Sequence, residues 1–146
     1  MNRPKIVLAE DHPDVAEQLR KLLEGAFDVA AVVGHGEALV KAALRLKPDA
    51  IVTDISMPGM DGIKAAQEIL LHQPSIGIVF VTVHDDVALA RKALAIGLGY
   101  VLKTSAGEEL VDAVNAALEG RPFASASLGA VDALIGSATA AKIASK

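Results

Sequence analysis

The sequence predicts an α/β fold, a doubly wound parallel sheet of five strands in (βα)5 order. Three observations carry that prediction. Short apolar runs alternate along the chain with segments whose apolar residues recur at helical spacing. The 52% hydrophobic content comes mainly from Ala, Val, Ile and Leu, with 3% aromatics, which suits a β-branched sheet interior under Ala- and Leu-rich helices. A chain of 146 residues can form one domain that buries roughly two-thirds of its unfolded surface, enough for a real core.

Ile6-Val7-Leu8-Ala9 is a short, unbroken apolar run, the pattern of a strand buried on both faces. Val15, Leu19, Leu22 and Leu23 follow at helical spacing, and Gly25 marks the stop. Val29 to Val33 is the second strand, and Leu39, Ala42, Ala43 and Leu46 line the second helix. Ala50-Ile51-Val52 is the third strand. The third helix covers Ile63 to Leu71, with Asp61 placed to cap it. Ile78-Val79-Phe80-Val81 precedes a helix over Val87 to Ile96 that should end at Gly97. Tyr100-Val101-Leu102 completes the sheet. Leu110, Val114, Ala117 and Leu118 mark the fifth helix, Ser105 and Glu108 have the spacing of a capping box, and Gly120 is the stop. The predicted domain spans 1–121. Residues 122–146 are rich in Ala, Ser and Gly, and Leu128, Val131, Leu134, Ile135 and Ile143 follow a helix only loosely. That segment has the composition of a tail or linker with some helical character.

Charge and composition remove several function classes. A formal net charge of -4 provides no basic footprint, so the chain itself is not expected to grip nucleic acid or an anionic membrane. DNA contact would need another module. With no Cys there is no disulfide framework, thiolate metal site or cysteine nucleophile, which fits a reducing compartment. Met1 to Lys5 leads directly into a strand pattern, and no uncharged apolar stretch reaches the roughly 18 residues of a membrane span. A soluble, untargeted, cytoplasmic protein is expected.

Right-handed β-α-β crossovers place ligands beyond the carboxyl ends of the strands. The first strand runs into Glu10-Asp11, the third ends on Asp54, the fourth on Thr82 and the fifth on Lys103, so these side chains should converge on one rim. Three gathered carboxylates repel one another unless a cation neutralises them, and an all-oxygen site suits Mg²⁺. Lys103 adds a fixed positive charge and Thr82 a hydroxyl, so a carboxylate, a metal and a phosphoryl group could be held together. Asp54, between the acidic pair and Lys103, is the candidate nucleophile, and Glu10 and Asp11 are better placed as metal ligands. His12 and His84 flank the rim, but its oxygen-rich chemistry argues against zinc.

Glu10-Asp11, the run from Asp54 through Ile55, Ser56, Met57, Pro58, Gly59, Met60 and Asp61 to Gly62, Thr82, and Gly99-Tyr100-Val101-Leu102-Lys103 resemble the motif series of response-regulator receiver domains of the CheY-like superfamily. The resemblance covers about residues 4–121. Glu-Asp-His-Pro, Val-His-Asp-Asp and Gly-Tyr-Val-Leu-Lys are similar to receivers of the NarL/FixJ type, which usually carry a C-terminal DNA-binding domain. It implies a flavodoxin-like fold and two-component signalling. Asp54 would take a phosphoryl group from a phosphohistidine on a sensor histidine kinase or histidine phosphotransfer protein. Glu10, Asp11, Asp54 and the backbone carbonyl of Ser56 would hold Mg²⁺, with Mn²⁺ as a substitute. Lys103 would pair with the phosphoryl oxygens, Thr82 would move to bond them, and Tyr100 would turn inward behind it. The output would be a repacked face around the fourth helix, fifth strand and fifth helix, with homodimerisation as one outcome. Self-phosphorylation and autodephosphorylation are implied, not turnover of a separate substrate.

This chain departs from the family pattern at three places. Thr104 follows Lys103 where family members often have Pro next to a cis peptide. Val83 is bulkier than the usual Ala or Gly, and His84 occupies a position that often tunes autodephosphorylation. The last two bear on rates, not on reaction class. A nucleotide- or flavin-binding enzyme would want a Gly- or Ser/Thr-rich loop after the first strand, where Glu10-Asp11 would repel a phosphate. A haloacid-dehalogenase-type phosphatase needs a second Asp two residues after the nucleophile, a place held by Ser56. A degenerate receiver acting only as an interaction module is the third alternative, and the complete set of polar positions weighs against it.

Overall fold

The computed structural model describes residues 3–135. The apolar runs become strands because helices cover both of their faces. β1 (Lys5–Ala9), β2 (Asp28–Val33), β3 (Ala50–Thr53), β4 (Gly77–Thr82) and β5 (Gly99–Leu102) form one parallel sheet in the order β2-β1-β3-β4-β5. Successive side chains point to opposite faces. Val7, Ile51, Ile78, Phe80 and Tyr100 therefore enter one core, and Ile6, Leu8, Val52, Val79 and Val101 the other. The first core is closed by α2 (Gly36–Leu46), α3 (Gly62–His72) and α4 (Val87–Leu94), the second by α1 (Pro13–Glu24) and α5 (Ala106–Leu118). The order reverses at β1, so the rim between β1 and β3 is the crevice where such sheets bind ligands.

Local chemistry sets the helix ends. Pro13 opens α1 where its missing N–H costs nothing. The side chains of His35, Asp61 and Asp86 accept from backbone N–H groups at the starts of α2, α3 and α4. The predicted capping box at Ser105 does not form. Lys103–Ser105 is a 3-10 turn running straight into α5, and Ser105 (φ -108°, ψ 3°) lacks the extended backbone that aims a capping hydroxyl. Gly120 ends α5 as expected, at φ 74°, with Gly120 N–H on Ala117 O and Arg121 N–H on Ala116 O. This is a Schellman closure.

That turn sends the chain back along β5, and among the described residues the sheet has six strands where five were predicted. β6 (Phe123–Ala124) pairs in parallel with Gly99 and Tyr100. Two residues carry no alternating pattern, so the sequence could not announce it. A second 3-10 turn (Ala126–Leu128) and the short α6 (Val131–Leu134) come next, and Leu134 is buried in the first core beside α4. Residues 122–135, expected to begin a tail, thus lie against the sheet edge. Ile143 and the rest of 136–146 lie outside the described residues.

The loop from Asp54 to Gly62 is pinned on itself by Gly62 N–H donating to Ile55 O at 2.8 Å. A Cβ on Gly62 would stand 1.9 Å from the Asp54 carbonyl oxygen, so only glycine lets α3 start against this backbone. Gly62→Ala is expected to cost about 1–3 kcal/mol of stability, as overpacking does. Gly107→Ala, which fills open space inside α5, should instead gain about 0.5–1 kcal/mol. Urea unfolding of both variants checks the pair.

Candidate functional site

Four strand ends deliver the predicted rim. Glu10 and Asp11 follow β1, Asp54 follows β3, Thr82 ends β4, and Lys103 follows β5. Glu10, Asp54 and Thr82 are buried. Ordinary carboxylates avoid such burial unless they are paired, and here one ammonium serves two of them. Lys103 Nζ donates to Asp54 Oδ2 at 2.8 Å and lies 2.6 Å from Glu10 Oε1. Burial pushes the Lys103 ammonium towards neutrality, but the contacts to Asp54 and Glu10 outweigh it and raise its pKa overall. The other Asp54 oxygen, Oδ1, accepts the Ile55 N–H at 2.7 Å, and the Asp54 N–H is held by Ala9 O, so the carboxylate has one orientation.

The acidic side of the pocket is less satisfied. Glu10 Oε1 has its ion-pair contact but no aligned hydrogen bond, and the buried Asp11 Oδ1 has no hydrogen-bond partner. Glu10, Asp11 and His12 each place one ligand atom within 4.8 Å of the others. His12 contributes the most exposed member, its ring 72% exposed and 3.3 Å from Asp11 Oδ1. Expected only as a rim position, it stands inside the acidic cluster. The buried donors are carboxylate oxygens, one of them unpartnered, which fits a hard divalent cation better than zinc.

His84 is the second residue whose role the sequence understated. Its N–H donates to Thr82 Oγ1 at 3.2 Å, its carbonyl accepts from Tyr100 Oη at 2.7 Å, and its ring Nε2 lies 3.1 Å from Ser56 Oγ. One residue thus connects the loop after Asp54, the β4 hydroxyl and the β5 tyrosine. Tyr100 is fully buried. Burial, helped by the negative charges of Asp86 and Asp85, pushes its phenol up to about 12. Among the described residues every peptide bond is trans, including Lys103–Thr104.

The structure is thus a doubly wound parallel sheet with an acidic pocket and a lysine at its strand ends. The chain belongs to the response regulator receiver domain family, whose model matches residues 6–115. YxjL of Bacillus subtilis, described as an uncharacterized transcriptional regulatory protein, is 35% identical over 151 residues, covering 100% of this chain and 64% of YxjL. A LuxR-family two-component response regulator from Aurantimonas superposes with a TM-score of 0.82 at 33% identity, covering 87% of this chain and 93% of that one. The isolated receiver of RcsB from Salmonella enterica, solved with the phosphomimetic BeF3-, gives a TM-score of 0.80 at 30% identity, covering 92% of this chain and 100% of that one. The chain spans between about half and two-thirds of the length of the curated relatives it matches. Among the described residues no helix is long and apolar enough to cross a membrane.

Two expectations arise from this geometry. Lys103→Ala leaves Glu10 and Asp54 buried without their cation, so metal-free protein should lose about 1–3 kcal/mol, discounted from a fully buried pair because the lysine is partly exposed; chemical denaturation in EDTA measures it. Tyr100 is the sole tyrosine, so ultraviolet titration reads it alone. A phenol whose pKa is raised on folding stabilises fully below its unfolded value of about 10, and that contribution is lost as pH rises. Native phenolate absorbance should therefore appear only towards pH 12, with stability falling across that interval.

Proposed function

We propose that this chain is a phosphoacceptor switch in which Asp54 takes the phosphoryl group of a phosphohistidine. One carboxylate oxygen of Asp54 forms the new P–O bond while the P–N bond to the donor imidazole breaks, and the histidine leaves as the neutral ring after protonation. The observation that carries this reading is the buried Asp54 carboxylate, oriented by Ile55 N–H and bonded to Lys103. In such a transfer the protein supplies mainly alignment and neutralisation of phosphoryl oxygens. Glu10, Asp11, Asp54 and the Ser56 carbonyl would hold Mg²⁺, or Mn²⁺ in its place. Bound there, the cation would offset the negative charge of the carboxylates and phosphoryl oxygens.

Lys103 is positioned to exchange its bond to Asp54 for one to the incoming phosphoryl oxygens. Thr82 can turn its hydroxyl from the His84 N–H towards the same group, with Tyr100 held inward by the His84 carbonyl. A group carrying roughly -1.5 to -2 charge drives such a rearrangement. The surface around α4, β5 and α5 is then the output. We assign the receiver to residues 1–121 and its C-terminal extension to residues 122–146.

The donor is a sensor histidine kinase or a histidine phosphotransfer protein. The transcriptional relatives support a DNA-binding module acting beyond these residues, a cytoplasmic setting, and a homodimer as one form of output. The pocket also supports self-phosphorylation from small phosphodonors and autodephosphorylation.

Incubation with Mg²⁺ and acetyl phosphate should add one phosphate to the intact mass of the wild type and none to Asp54→Asn. EDTA should suppress the adduct. An adduct on Asp54→Asn would overturn the assignment. No adduct on the wild type from either acetyl phosphate or a phosphorylated kinase would favour a module that only binds partners.

A further inference from the structure

Ser125 lies beyond the fifth helix, yet it is fully buried against the strand that leads into Lys103. β6 supplies ladder partners only as far as Ala124. Past that point the main chain turns away, and the N–H of Leu102, the residue before Lys103, would face a place with no strand carbonyl. The Ser125 hydroxyl oxygen takes that N–H at 2.8 Å. Its own proton goes to Glu109 Oε1 at 2.5 Å, while Glu109 Oε2 accepts the Ala126 N–H at 3.1 Å. Ser125 N–H also donates to Tyr100 O at 2.9 Å. Both faces of the contact are thus defined: a serine completes the β5 ladder by side chain, and a carboxylate on α5 fixes the serine.

We infer that Ser125, clamped by Glu109, is a positioning residue for Lys103 and so for the phosphoryl site. A buried N–H cannot stay unpaired without cost. Removing the hydroxyl frees the Leu102 peptide to shift, and Lys103 is the next residue. Displacements of about 1 Å in a transfer site can cost up to roughly a hundredfold in rate. β4 pairs with β5 on its other edge as far as Leu102, so the Ser125 hydroxyl is what completes the β6 side at the residue before Lys103. The extension beyond α5 is thereby part of the site's frame, and the inference rests on Asp54 being the phosphoryl acceptor only for its rate readout.

The test compares Ser125→Ala, Ser125→Thr and Leu134→Ala in the full chain. Leu134→Ala loosens the packing of the same extension without touching the hydroxyl network, and circular dichroism checks that each variant is folded at the assay temperature. Ser125→Ala should phosphorylate from acetyl phosphate roughly tenfold or more slowly than wild type. Ser125→Thr should recover most of the rate, and Leu134→Ala should stay within about twofold. Reductive methylation of Lys103, followed by mass spectrometry, gives a readout independent of phosphorylation. It should be slow in wild type and Leu134→Ala and several-fold faster in Ser125→Ala. Equal methylation of wild type and Ser125→Ala, or equal changes in Leu134→Ala, would overturn the inference. A wild type that never gains phosphate would instead count against the acceptor assignment, with the methylation result still deciding the role of Ser125.

Discussion

One ammonium shared between two buried carboxylates is the constraint on which the site's architecture depends. Lys103 touches Glu10 and Asp54 at once, and without it two buried carboxylates would lie side by side with no cation between them. The three residues come from β1, β3 and β5, strands that are not all neighbours. Their meeting requires a parallel sheet of fixed register, since a slip of one residue would turn a strand-end side chain towards the opposite face. It also requires a close backbone behind Asp54. The α3 start pressed against the Asp54 carbonyl at Gly62 supplies that. Core packing and pocket chemistry are therefore not separable here, because the cores on both faces hold the register that the ion pairs need.

The pattern of five apolar runs made the central sheet legible, since strands buried on both faces leave unbroken apolar segments. The site was legible for a different reason: Glu10, Asp54, Thr82 and Lys103 are polar residues placed where apolar runs end, and parallel topology sends such ends to one rim. β6 was not legible, because a two-residue strand defined by its neighbour has no period of its own. The Ser125–Glu109 bond joins residues 16 apart through a turn whose direction is set by Gly120. His84 was visible as a flanking residue, but two of its three contacts use backbone atoms, which no residue identity announces. The capping box at Ser105 failed for the complementary reason. Its residues had the right spacing, but the turn begun at Lys103 fixed the backbone first.

Connections lead outward from the pocket along two routes. The first passes from Thr82 through the His84 backbone to Tyr100, whose ring lies in the core shared with α4. The second runs along β5 itself, from Lys103 through the Leu102 N–H to Ser125 and the extension that reaches α4 through α6. Both end on the same face. A displacement at Lys103 and a displacement at Thr82 would therefore act on one set of packed side chains, which is the arrangement a two-state element needs if a local charge change is to move it.

The charge count explains why the proposed event would move these routes at all. Glu10, Asp11 and Asp54 carry three negative charges against one on Lys103, so the pocket is left about two charges negative, close to what one divalent cation offsets. Phosphorylation of Asp54 exchanges a single carboxylate charge for a group of roughly -1.5 to -2. The deficit reopens, now on oxygens further from the strand ends than the original carboxylate. Lys103, which already contacts Asp54 and Glu10, and the Thr82 hydroxyl, which accepts the His84 N–H, would both be drawn towards them. Those are the first links of the two routes. Drawing them towards the new charge would load the contacts that hold the present arrangement, which is how a change in the pocket would pass beyond it.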